Sequence, residues 1–223
     1  VAAGMAIGAG EGIGIASYQF VHASEADTWG FRGFSRSVFL GSTAGTAVGY
    51  AMAVTMEPSP KTSLLLGSSV VWGSAVGSMF GYGASGKDLE FGDANDSASL
   101  GGLVGYNAGL LGAAALSTVW VPTYKSLLWM WTGAGIGFAA STPVYLFYAG
   151  SDHPTKRGLI FQGTATTLGL VAGAALTFND SRDIATNEKE PLVANRATGL
   201  QITGGGPMPV NGGMGFQVSG LLF

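Results

Sequence analysis

Glycine or another small residue returns at every fourth position through most of this chain. In the stretch 101–114, GGLVGYNAGLLGAA, the residues Gly101, Gly105, Gly109 and Ala113 are four apart. Residues four apart share one face of an α-helix. That face carries nothing larger than a methyl group, while Leu103, Val104, Tyr106, Leu110 and Leu111 cover the others. A helix bare along one stripe and apolar elsewhere admits a second backbone at close range. That is the packing mode of small-residue helices in membranes.

The same stripe recurs along the chain. It runs through Gly4, Gly8, Gly12 and Ala16, then Gly41, Gly45, Gly49 and Ala53, then Ser69, Gly73, Gly77 and Gly81. After the stretch at 101 come Gly133, Gly137 and Ser141, and finally Ala165, Gly169 and Gly173. Stripes separated by roughly 30 residues mark an internal repeat. The expectation is therefore an all-α membrane protein of about six glycine-zipper transmembrane helices, with these glycines as the helix-packing residues.

Composition agrees. Charged residues make up 10% of the 223, against roughly 25% in typical soluble domains. Hydrophobic residues are 47%, and glycine takes 38 positions, so glycine stands where charge is missing. A net charge of −3 gives no argument for a nucleic-acid partner. With no cysteine, disulfides, thiolate metal sites and cysteine nucleophiles are excluded. The first residues lack a basic stretch of the kind that opens a signal peptide.

Six apolar segments are legible, at 3–19, 37–56, 62–83, 98–118, 126–148 and 158–178. Most are about 20 residues long, the length that crosses a bilayer at 1.5 Å per residue. The EPSPK turn at 57–61 predicts an antiparallel hairpin of 37–56 with 62–83. Pro122 predicts a second hairpin, of 98–118 with 126–148. Ser97 is expected to cap the fourth helix, and Pro143 to kink or end the fifth. The loop 20–36 mixes Trp29, Phe31 and Phe34 with Arg32 and Arg36, as suits a membrane interface. The loop 84–97 holds Asp88, Glu90, Asp93 and Asp96 without the spacing of a calcium loop. Beyond the membrane domain, 1–178, the region 179–223 reads as a polar linker followed by a short C-terminal β-hairpin.

A strand reading competes, because a period of four is also a multiple of two. An outer-membrane β-barrel is the alternative fold. The segments are about twice the length a spanning strand needs, and they lack internal turns. A barrel lumen is also usually polar, and these segments carry almost no charge.

Motifs for chemistry are absent: there is no G-x-S-x-G, no phosphate loop and no H-E-x-x-H. The G-x-G-x-G at 8–12 neither follows a strand nor opens a βαβ unit. His22 and His153 alone make a poor metal site. No cofactor or metal is expected. Glu11, at membrane depth, is costly and so a functional candidate. Asn107, Thr132 and Gln162 are the polar residues most central to their helices. They read as interhelical hydrogen-bonding groups first and pore lining second.

Four stretches carry a resemblance: LGGLVGYNAGLLGAAAL (100–116), YKSLLWMWTGAGIGF (124–138), RGLIFQGTATTLGLVAGAAL (157–176) and PMPVNGGMGFQVSGLLF (207–223). Together they resemble uncharacterised cell-envelope proteins of deltaproteobacteria. The resemblance implies a place in the bacterial envelope, the outer membrane included, and no mechanism. The expected function is a non-enzymatic structural or assembly role in a membrane, with the lipid bilayer and a homo-oligomer or larger envelope complex as partners. A pore or channel is the alternative.

Overall fold

The computed structural model describes residues 1–23, 29–55, 58–85, 91–149 and 154–181. Side chains are left out at 91–95 and 180–181, and only backbone is described at 200–210 and 213–222. Six long helices carry the fold: α1 (Ala2–His22), α2 (Phe31–Thr55), α3 (Pro60–Ala84), α4 (Phe91–Ser117), α5 (Tyr124–Ala149) and α6 (Thr155–Leu176). Residues described with side chains contain no strand, and the helical segments exclude the β-barrel alternative. The linker at 179–196 lies almost wholly outside the described residues. The expected C-terminal β-hairpin lies outside the residues described with side chains.

Four of the six helices are long and apolar enough to cross a membrane: α2, α3, residues 96–117 of α4, and α6. Expecting six such spans overstates the apolarity of α1 and α5. Glu11 and five glycines dilute α1, while Lys125, Pro143 and several Ser, Thr, Trp and Tyr dilute α5.

Helix pairing differs from the expected hairpins. The packed pairs are α1 with α2, α3 with α4, and α5 with α6, whereas α2 barely touches α3 and α4 barely touches α5. The reason lies in the stripes. Each helix has one bare face and can make one close backbone contact with it. Pairing consecutive helices from the first consumes all six faces; pairing α2 with α3 and α4 with α5 would strand those of α1 and α6. The three hairpins then pack side by side through α1 against α4 and α3 against α6. The resulting order across the molecule is α2, α1, α4, α3, α6, α5.

Local signals set the helix ends. Ser59 caps α3, its hydroxyl accepting from the Thr62 amide at 3.2 Å, with Pro60 at the first helical position. Thr123 does the same for α5, accepting from the Ser126 amide at 3.1 Å. Ser97 is not a cap: α4 starts at Phe91, and Ser97 sits inside it against Gly81 of α3. The loop expected over 20–36 is also shorter, because Phe31, Arg32, Phe34 and Arg36 belong to α2. Pro143 does not end α5, which runs on to Ala149. Around the proline, hydroxyls supply extra donors to the backbone. Ser141 donates to the Gly137 carbonyl at 2.7 Å and Thr142 to that of Phe138 at 2.9 Å.

The core is small. Leu65, Leu66, Ala113 and Leu127 form its centre, with Ile7, Leu110 and Met130 packed around it. Most large apolar side chains point outward instead. Phe39 is 69% exposed and Leu111 equally so, and no residue of α2 is buried.

Candidate functional site

The seams inside the three hairpins are built from glycine backbone. Along α1 and α2, each step of four forward on one helix is matched by a step of four back on the other. Gly4 lies against Gly45 and Gly49, Gly8 against Gly41 and Gly45, and Gly12 against Ser37 and Val38. The α3–α4 seam repeats the arrangement. Gly73 meets Gly105 and Gly109, Gly77 meets Gly101 and Gly105, and Gly81 meets Ser97 and Gly101. In the α5–α6 seam Gly133 faces Gly169, Gly137 faces Ala165 and Thr166, and Gly173 faces Trp129 and Met130. A β-carbon at Gly8 would lie 2.8 Å from the Gly41 carbonyl carbon, and one at Gly169 would lie 2.7 Å from that of Gly133. Only glycine fits such positions, because the obstacle is backbone and cannot rotate away. Gly41, Gly45, Gly49, Gly73, Gly77, Gly81, Gly101, Gly105, Gly109, Gly133, Gly137, Gly169 and Gly173 all lie along these seams between helices of one chain.

Between hairpins the contacts change to polar side chains and rings. At the α1–α4 interface the Asn107 amide donates to both Glu11 carboxylate oxygens, at 3.0 and 3.1 Å, and to the Leu103 carbonyl at 3.0 Å. One turn away along α1, the Tyr106 hydroxyl donates to the Ile7 carbonyl at 2.5 Å. Glu11 and Asn107, separated by 96 positions, are thus brought together, a meeting the sequence does not announce. Tyr106 belongs to the same site. Its signal was a lone hydroxylated aromatic beside Asn107 in a stretch, 100–116, otherwise made of Gly, Ala, Leu and a single Val.

Glu11 and Asn107 sit on the wall of a cavity of about 300 Å³. Its remaining walls come from the glycine faces of α1 and α2, Ala44 and Val48 of α2, Leu66 of α3 and Leu110 of α4. Here α2 packs on α1 and makes little contact with α3.

Gln162 serves a different interface. It is 3% exposed and bridges α6 to α5, donating to the Phe138 carbonyl at 3.3 Å and to the Thr142 hydroxyl at 3.1 Å. Thr132 instead lies exposed on α5. Trp131 ties α5 to α3, its ring nitrogen donating to the Ser68 hydroxyl at 2.9 Å. A meeting of His22 with His153 falls outside the described residues, which do not include His153. His22 stacks on Tyr18 and approaches Asp96 of α4 at 3.1 Å. Lys61, buried at the start of α3, sits 5.7 Å from the centre of the Tyr124 ring, a cation–π geometry. Among the described residues, no cluster of His, Asp and Glu is arranged to hold a metal ion.

Compared with known families, curated proteins and solved structures, the chain matches none.

Proposed function

We propose that this chain is an integral membrane protein of the bacterial cell envelope with a structural, non-enzymatic role, akin to the deltaproteobacterial envelope proteins it resembles. Glycine-zipper packing holds each hairpin, and the outward apolar side chains meet lipid or neighbouring subunits. The observation that carries the reading is the coincidence of two features. Backbone-to-backbone contact runs along all three seams, and large apolar side chains are exposed on every helix. In water that combination would be unstable, since the exposed surface calls for burial. In lipid it is favourable, because helix association there relies on close packing and not on a difference in apolarity.

The glycine faces are used within the chain, so any homo-oligomer or envelope complex is built through the outer faces. The edge helices α2 and α5 offer Phe39, Leu40 and Val54 and Leu128, Ile136 and Phe147 for this. A row of helices, unlike a closed ring, provides a path across the membrane only if several copies assemble.

Two measurements test the proposal. Alkaline carbonate extraction of membranes from expressing cells leaves the protein in the pellet; release into the supernatant refutes the membrane reading. Vesicles carrying the purified protein retain a small dye; rapid dye release refutes the structural role in favour of a pore.

A further inference from the structure

We infer that the cavity between the first two hairpins is a binding site for a small organic ammonium ion, a cation with an apolar body. The inference rests on three features of one place. The first is size: about 300 Å³ lies at the lower end of ligand-sized pockets. The second is lining. Ala44, Val48, Met52, Leu66 and Leu110 together with glycine backbone give walls that favour an apolar body over water.

The third is charge. Glu11 presents a carboxylate to this space, where it accepts from the neutral Asn107 amide. A carboxylate accepts at about four lone-pair positions, and the Asn107 amide nitrogen supplies donors to only part of that capacity. No lysine, arginine or histidine is among the described residues lining the cavity. A carboxylate facing an apolar cavity is costly without a counter-charge. An ammonium group completes it, donating to the lone pairs of the carboxylate that the amide leaves unused, while the attached alkyl or ring carbons fill the apolar space. Asn107, fixed by its bond to Leu103, positions the carboxylate for that contact.

The site rests on the folded helix arrangement and not on the structural role proposed above. Its test therefore uses the full chain in detergent micelles. Cyclohexylammonium and cyclohexanol, a charged and a neutral molecule of similar shape, are titrated against the protein by saturation-transfer NMR. Wild type binds cyclohexylammonium at least tenfold more tightly than Glu11→Gln does, and cyclohexanol does not distinguish the two proteins. The variant Ala44→Phe, which fills the cavity and leaves Glu11 in place, also loses at least tenfold. Far-UV circular dichroism and elution volume confirm that each variant is folded. If Glu11→Gln fails to fold, Ala44→Phe decides alone. Equal cyclohexylammonium binding by wild type and either folded variant overturns the assignment, as does wild-type binding no tighter than partitioning into empty micelles.

Discussion

Replacing Gly105 by alanine adds one methyl group, and the seam magnifies its effect. The new β-carbon would lie 2.9 Å from both the Gly73 carbonyl carbon and the Gly77 α-carbon, and nearer still to the Gly73 carbonyl oxygen. Restoring an ordinary contact of about 3.5 Å requires α3 and α4 to part by roughly 1 Å at that level. A radial gap of about 0.5–1 Å forfeits a quarter to a half of each dispersion contact across it. The neighbouring levels, Gly77 with Gly101 and Gly73 with Gly109, share the same rigid backbones and open with it. Overpacking typically costs about 1–3 kcal/mol, and the upper end applies because nothing in the way can rotate aside. For a chain of this size that lowers the melting temperature by roughly 2–4 °C per kcal/mol. Gly112, on the same helix, is the control: a β-carbon there meets nothing within 4 Å. Gly112→Ala stabilises by about 0.5–1 kcal/mol through helix propensity alone. The assay is thermal unfolding in detergent followed at 222 nm. Opposite signs at Gly105 and Gly112 support the argument. Equal shifts at the two positions refute it.

Other substitutions probe the contacts between hairpins. Asn107→Leu strips the Glu11 carboxylate of its amide donor and lowers stability by about 1.5–3 kcal/mol, the range for a hydrogen bond to a charged group. A double-mutant cycle with Glu11→Gln in chemical denaturation recovers a coupling of at least about 0.5 kcal/mol if the two side chains interact. Tyr106→Phe removes only the bond to the Ile7 carbonyl and costs about 0.5–1.5 kcal/mol in the same assay. Ser59→Ala costs about 1 kcal/mol, seen as a lower unfolding midpoint, because the Thr62 amide loses its acceptor.

The spacing of glycine determined a good deal unaided. A period of four names the bare face of each helix, and the glycines on that face lie along the seams, joined there by Ser37, Val38, Trp129 and Met130, which the period does not name. Segment length placed the six helices to within a few residues at most ends. The sequence could not name each stripe's partner. The EPSPK turn is short, and a short turn points to a packed hairpin of α2 with α3; yet α2 has a single glycine face, already filled by α1. Turn length limits only how far apart two helix ends lie, whereas close packing needs two bare faces in matching register. Ser97 shows the same ambiguity, since serine suits both a helix cap and a small-residue seam, and only the presence of α3 selects the seam.

Site chemistry divides along the same line. Glu11 and Asn107 each stood out alone, because a polar side chain in an apolar helix is conspicuous wherever it lies. Their meeting, the Tyr106 bond to Ile7 and the cavity beside them depend on how the first hairpin docks against the second. Periodicity is a property of one helix and repeats within a few residues, so a sequence displays it directly. Docking is set by the combined shape of side chains drawn from several helices far apart in the chain, and that shape exists only once the helices are assembled.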